Sequence, residues 1–156
     1  MPDLMSEKYF PTLTPYIVVR DAKAAIAFYE RALGAVARNV SFVPETDMVM
    51  NAQLVIGDSV LMLNDEFPDY GSFGPQEGSK NPVTIHINSK DVDTDFQRAV
   101  DAGAEVTMPL ADMFWGDRYG AFKCPFGHNW SMGQKIREMT YEQINDEMKA
   151  AMQEPH

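Results

Sequence analysis

The chain is poor in cysteine, histidine and basic residues, and each shortage excludes something. Cys124 is the only cysteine in 156 residues, so no disulfide can close within one chain, a usage compatible with a reducing compartment. Lys and Arg number 13 against 23 Asp and Glu, a formal net charge of -10. An acidic surface repels phosphate backbones and anionic lipid, which argues against nucleic acid and the membrane surface as partners. No run approaches the roughly 18 apolar residues that span a bilayer. The first ten residues lack the cationic start and apolar stretch of a secretory signal, so a cytoplasmic location is expected. No Gly-x-Gly-x-x-Gly or Walker-type loop is present. Tyr70-Gly-Ser-Phe-Gly-Pro75 has glycines but no helical pattern after it, so phosphate cradling has no support.

What is present suffices for a packed domain. Apolar residues make up 45% and aromatics 11%, enough to fill one core in a chain of this length. The chain also repeats itself. Thr14-Pro-Tyr-Ile-Val-Val-Arg-Asp21 and Thr84-Ile-His-Ile-Asn-Ser-Lys-Asp91 lie 70 positions apart, each an extended run ending in aspartate. Behind each aspartate comes a helical stripe, Ala22, Ala25, Ile26, Tyr29 and Leu33 in the first and Val92, Phe96, Ala99 and Val100 in the second. Asp21 and Asp91 suit N-caps, and Gly34 and Gly103 suit left-handed helix ends. Lys90 and Arg98 are expected to be solvated charges by the second helix.

Strand candidates follow each helix: Val36–Val43, Met48–Ile56 and Ser59–Asn64, then Glu105–Met108, Tyr119–Lys123 and Asn129–Gly133. Each half therefore reads strand, helix, three strands. The modules span about 13–64 and 82–135 within a domain at 11–136. The stretch 65–81, rich in Pro, Gly, Ser and acids, reads as a mobile linker or lid. Thr140 and Gln143 form a capping-box pattern before a helix at 140–152, whose stripe of Tyr141, Ile144, Met148 and Met152 would dock on the domain or a partner.

The segment Phe114–Trp130 carries most of the chemistry. Trp115, Asp117 and Arg118 cluster at one turn, Cys124 and His128 at another, and loops of this kind present side chains to ligands. Arg118 would suit a carboxylate or phosphonate through its planar fork. The alternative is a local Asp117–Arg118 pair with the aromatics capping a sheet. Thr84, His86 and Asn88 alternate and share a strand face. There His86 is either a ligand contact or a histidine satisfied by a neighbouring hydroxyl. His128, after Gly127 in a tight turn, suits a hydrogen bond to backbone or carboxylate. Cys124 has no activating neighbour beyond Lys123 and His128. Met50 and Met62 fall on central strands and, with Tyr16, suggest an adaptable apolar cleft.

Tandem β-α-β-β-β modules with Thr-Pro-Tyr-Ile-Val-Val-Arg-Asp-Ala, Phe-Trp-Gly-Asp-Arg-Tyr-Gly and Pro-Phe-Gly-His-x-Trp resemble the vicinal oxygen chelate superfamily, the glyoxalase/bleomycin-resistance/dioxygenase fold. Within it they look like the PhnB-like branch, related to 3-demethylubiquinone methyltransferase. Cys124 departs from that branch, standing where Asp normally precedes Pro-Phe-Gly-His. The resemblance implies an α+β fold of two βαβββ modules around a curved-sheet cleft, and a homodimer. It also implies a divalent-metal site, whose ligand positions fall here on Thr14, Met62, Thr84 and Ser131. Hydroxyls and a thioether are poor replacements for imidazole or carboxylate, so no cofactor is expected unless a non-standard metal site forms. The expected activity is metal-independent binding of a small organic molecule by Tyr16, Met50, Met62, Thr84, His86, Trp115, Asp117 and Arg118. The alternative is a divergent lyase, isomerase or metalloenzyme of glyoxalase type.

Overall fold

A computed structural model of the chain describes residues 3–6 and 8–153, and His156 lies outside them. The first module runs β1 (Tyr16–Val19), α1 (Ala22–Leu33), β2 (Val36–Phe42), β3 (Val49–Ile56) and β4 (Ser59–Asp65). The second runs β5 (Thr84–Asn88), α2 (Val92–Asp101), β6 (Glu105–Asp112), β7 (Asp117–Lys123) and β8 (Asn129–Lys135), and α3 (Tyr141–Gln153) closes the chain. The strands form two four-stranded mixed sheets, ordered β1-β4-β3-β2 and β5-β8-β7-β6. The fold is the α+β pair of βαβββ modules that the repeat implied.

The duplication extends below the sequence pattern. Tyr16 lies opposite Met62 on parallel β1 and β4, and His86 opposite Ser131 on parallel β5 and β8. Register steps over Arg38 in β2, between Ala37 opposite Leu54 and Asn39 opposite Gln53. It steps over Thr107 in β6, between Val106 opposite Phe122 and Met108 opposite Ala121. The two bulges sit at equivalent points. The last strand of each module also carries, near its end, a side chain that holds the start of that module's own helix: Asp65 Oδ1 accepts from the Ala22 amide at 2.8 Å, and Gln134 Oε1 from the Val92 amide at 2.9 Å. First-turn amides have no partner inside the helix, so these acceptors fix where it begins.

Both N-caps form. Asp21 Oδ1 accepts from the Ala24 amide at 3.1 Å and Asp91 Oδ1 from the Thr94 amide at 3.3 Å. The C-terminal ends differ. Gly34 ends α1 in the left-handed conformation at φ 65, whereas α2 ends on Ala102 in the right-handed region. Gly103 follows at φ 117, outside the left-handed helical well expected for it, because one extra residue precedes it. The capping box at α3 forms reciprocally, with the Gln143 amide on Thr140 Oγ1 and the Thr140 amide on Gln143 Oε1.

One core serves both modules. Tyr29 and Phe28 of α1 meet Trp130 and Phe126 of the second module at ring separations of 5.3 and 6.2 Å. Burying such side chains contributes roughly 2–3 kcal/mol each. Arg98 is not a freely solvated charge. It donates to Ala32 O at 3.3 Å, setting a cation at the negative end of α1. His128 joins the modules again, its Nε2 2.8 Å from Val18 O on β1. The stretch 65–81 carries local structure of its own. Phe67 and Ser72 pair, a 3-10 turn covers Pro68–Tyr70, and a Cβ on buried Gly74 would stand 2.8 Å from Val18 O. No described helix is long and apolar enough to cross a membrane.

Candidate functional site

Because the helices pack together on the inner side, each sheet turns its other face outward. The predicted site residues divide between these two faces. On the second sheet, Thr84, His86 and Asn88 alternate outward along β5 and are exposed. His86 Nδ1 lies 2.8 Å from Ser131 Oγ, which is itself buried. Its ring stacks on Tyr119 with centroids 5.9 Å apart and planes at 17°. Gly133 forms the floor. A Cβ there would stand 3.1 Å from His86 Cε1 and 3.3 Å from Nε2, so glycine is what lets the imidazole lie against β8.

Trp115 reaches the same face from the turn before β7. Its ring meets Tyr119 edge-on at 5.7 Å and Phe114 at 5.0 Å, geometries that aromatic quadrupoles favour. Its Nε1 donates to Asp117 Oδ2 at 3.2 Å, while Asp117 Oδ1 lies 3.9 Å from Lys135 Nζ. The result is an aromatic wall of Phe114, Trp115, Tyr119 and His86, edged by one acid and one lysine. His86 is exposed on this face rather than deep in a cleft.

Arg118 does not join it. Neighbouring residues of a strand point to opposite faces, and Arg118 turns to the helix side, where Nε donates to Asp93 Oδ1 at 2.8 Å and Nη1 to Asp112 Oδ1 at 3.0 Å. Those hydrogen bonds, to Asp93 first and then to Asp112, raise its pKa further above the ordinary arginine range. Its fork is already filled by acids, so it is unsuited to bind a ligand anion. The local Asp117–Arg118 pair does not form either; each residue has its own partners.

The first sheet's outer face holds Tyr16 and Met62. Asn51 Nδ2 donates to Tyr16 Oη at 3.2 Å and lies 3.9 Å from Met62 Sδ. Met50 sits where the register steps between Ser41 opposite Asn51 and Phe42 opposite Val49, and it is exposed. Met48 is exposed as well, with buried Val49 between the two methionines. Thr14 precedes β1, its Oγ1 donating to Pro11 O. Sequence reasoning passed over Tyr119, Gly133 and Asn51 as site residues. Tyr119 could have been found, since it follows Asp117 by two in a strand.

The groups at the four superfamily ligand positions do not fit a zinc, nickel or iron ion: Thr14 lies off the sheet, and Ser131 is engaged by His86. Among the described residues no three of His, Cys, Asp and Glu come close enough to hold a metal. Cys124 is buried, with Tyr29 Oη donating to its sulfur at 3.2 Å. Burial, and then the neighbouring Cys124, push the Tyr29 pKa well up, so the phenol stays protonated in the core. His128 is pulled below its ordinary pKa, chiefly by burial. As a neutral imidazole it donates from Nε2 to the Val18 carbonyl. A surface concavity lined by Arg31, Asp93, Gln97, Arg98 and Asp101 lies beside the helices, away from both sheet faces.

Residues 11–132 match the family model for the Glyoxalase/Bleomycin resistance protein/Dioxygenase superfamily, and the chain belongs to that family. It is 44% identical over 154 residues to the uncharacterized protein Rv0887c of Mycobacterium tuberculosis, covering 96% of this chain and 87% of that one. Among solved structures it resembles protein PA1353 of Pseudomonas aeruginosa, at 29% identity and TM-score 0.64, covering 80% of this chain and 98% of that one. The PhnB protein of Bacillus cereus shares the fold, at 15% identity and TM-score 0.62, with 80% and 99% covered.

Proposed function

We propose that this protein binds a small organic molecule on the outer face of its second sheet, without the superfamily's usual metal, as a PhnB-like member acting in the cytoplasm. The observation that carries the reading is the oriented imidazole of His86 on an aromatic wall. Ser131 Oγ has no other hydrogen-bond partner among the described residues, so its hydroxyl donates to Nδ1 and Nε2 carries the proton outward. His86 therefore offers an N–H to an acceptor oxygen on the ligand, and Lys135, next to Asp117, adds a positive charge at the edge of the wall. Trp115 and Tyr119 supply the apolar contact that such pockets need around a few polar groups. A homodimer would cover the open face that carries Thr84, His86, Trp115 and Asp117. A divergent lyase or isomerase would use the same His86 nitrogen as a proton donor.

A thermal-shift screen of small aromatic acids and phosphonates tests the site, since a ligand that prefers the folded state raises the melting temperature. His86→Ala and Trp115→Ala should each lose most of the shift, and Lys90→Ala should keep it. Equal losses in all three would make the aromatic wall structural. Turnover of a hit compound, or near-stoichiometric nickel, zinc or manganese in protein purified without chelator, would favour the enzyme. Light scattering showing a monomer across micromolar concentrations would remove the dimer.

A further inference from the structure

We propose that the outer face of the first sheet is a separate site for a small aromatic carboxylate, and that residues 4–6 and 8–10 of the same chain occupy it in the structure. Arg38 is the centre of that site. It stands at the bulge between Ala37 and Asn39, where the second sheet has Thr107, and bulges re-aim a side chain out of the regular pleat. Its guanidinium is bonded from two directions. From the sheet, Gln53 Oε1 accepts from Nε at 2.8 Å. From the N-terminal segment, the carbonyls of Leu4 and Ser6 accept from Nη1 at 3.0 and 2.8 Å, and that of Tyr9 from Nη2 at 2.6 Å. Phe10 stacks over the fork at 4.7 Å.

These contacts outline a ligand. The two outward nitrogens are met by carbonyl oxygens, and an aromatic ring lies beside them, so the segment presents oxygens and a ring together. Among the described residues no carboxylate pairs with Arg38. A free carboxylate would replace neutral dipoles with a charge that matches the fork through two parallel bonds, and its ring would take the place of Phe10. Gln53 would go on holding Nε, so the arginine stays aimed when the segment leaves. Tyr16 Oη accepts from Asn51, which frees its proton for the ligand. The segment precedes Pro11, where the family match begins, so it is an addition laid over the common fold. This site is distinct from the one bearing His86.

Calorimetry of the full chain with benzoate, and with benzyl alcohol as the uncharged equivalent, tests the proposal. Phe10→Ala weakens the competing segment without touching the sheet. It should bind benzoate about tenfold more tightly than the wild type, because the competent fraction rises, and benzyl alcohol should gain nothing. In the Phe10→Ala background, Arg38→Gln should abolish benzoate binding. Arg38→Lys, which keeps the charge and loses the fork, should weaken it while leaving the melting temperature close to that of the parent. His86→Ala should change nothing. Benzoate should also speed tryptic cleavage after Lys8 in the wild type, as the segment is displaced. Equal benzoate affinity in wild type and Phe10→Ala, unchanged affinity in Arg38→Lys, or loss with His86→Ala in place of Arg38→Gln would overturn the assignment.

Discussion

The two modules share a backbone plan and differ almost everywhere that plan meets solvent. Equivalent strands pair in equivalent register, equivalent aspartates cap the helices, and equivalent bulges interrupt β2 and β6. On the outer faces, Tyr16 corresponds to His86, Met62 to Ser131, Asn51 to Tyr119 and Arg38 to Thr107. One face has become donor-rich and is covered by the chain's own N-terminal segment. The other has become aromatic and stands open. Inner-face and capping positions are constrained by packing and by orphan helix amides, while outer positions can change without disturbing the fold.

The sharpest test of this correspondence is at the helix starts. Asp65 accepts from the Ala22 amide and, through Oδ2, from the Val49 amide at 2.7 Å, whereas Gln134 accepts from Val92 and donates to Lys90 O at 2.9 Å. Hydrogen bonds to a charged group contribute more than neutral ones. Asp65→Leu should therefore cost about 3 kcal/mol in urea unfolding and Gln134→Leu about 1 kcal/mol. Equal costs would mean the two caps are energetically alike.

A second difference lies in the core, where Gly120 occupies the position of Ala52. A Cβ at Gly120 would stand 2.8 Å from Phe96 Cε2, and Phe96 corresponds to Ile26 of the first helix. Gly120→Ala should destabilise by about 2 kcal/mol through overpacking. Adding Phe96→Ile should recover most of that, a coupling that a double-mutant cycle measures directly. Additive losses would break the idea that helix and strand changed size together.

On the open face, Gly133→Ala should push the His86 ring aside. The expected result is loss of most ligand-induced thermal shift with a stability change below about 1 kcal/mol, since His86 is exposed. Full retention of the shift would show that the ring position is not what binds.

The smallest effect concerns the bolt between modules. His128 has a folded pKa below its unfolded value, so the unfolded chain binds the proton first as pH falls. Its contribution to stability is complete above the unfolded value near 6.5 and is lost as pH drops from there through the folded pKa. His128→Gln retains a donor for Val18 O and removes the titration. Its stability should fall less steeply than wild type between pH 7 and 5, and parallel curves would remove His128 from the linkage.

The repeat, the helix caps and the strand order were legible because they rest on local rules: period-two and period-3.6 patterns, capping carboxylates, turn glycines. His86 and Trp115 were legible as polar or aromatic residues in unusual places. Arg118 was misplaced because Asp117 and Arg118 adjoin in sequence yet face opposite sides of β7, and the turn pattern did not set the strand's start. The bulge at Met50 hid in the same way, since an inserted residue shifts alternation without any mark in composition.

The sequence by itself determined the two-module α+β fold, the helix ends at Asp21, Gly34 and Asp91, and an acidic domain with a single thiol. Only the tertiary structure decided which residues share a surface. Groups 29 to 110 positions apart, Arg38 with the carbonyls of Leu4, Ser6 and Tyr9, His86 with Ser131, and His128 with the Val18 carbonyl, meet through strand register and helix packing. Those depend on the whole core closing at once, which no local pattern encodes.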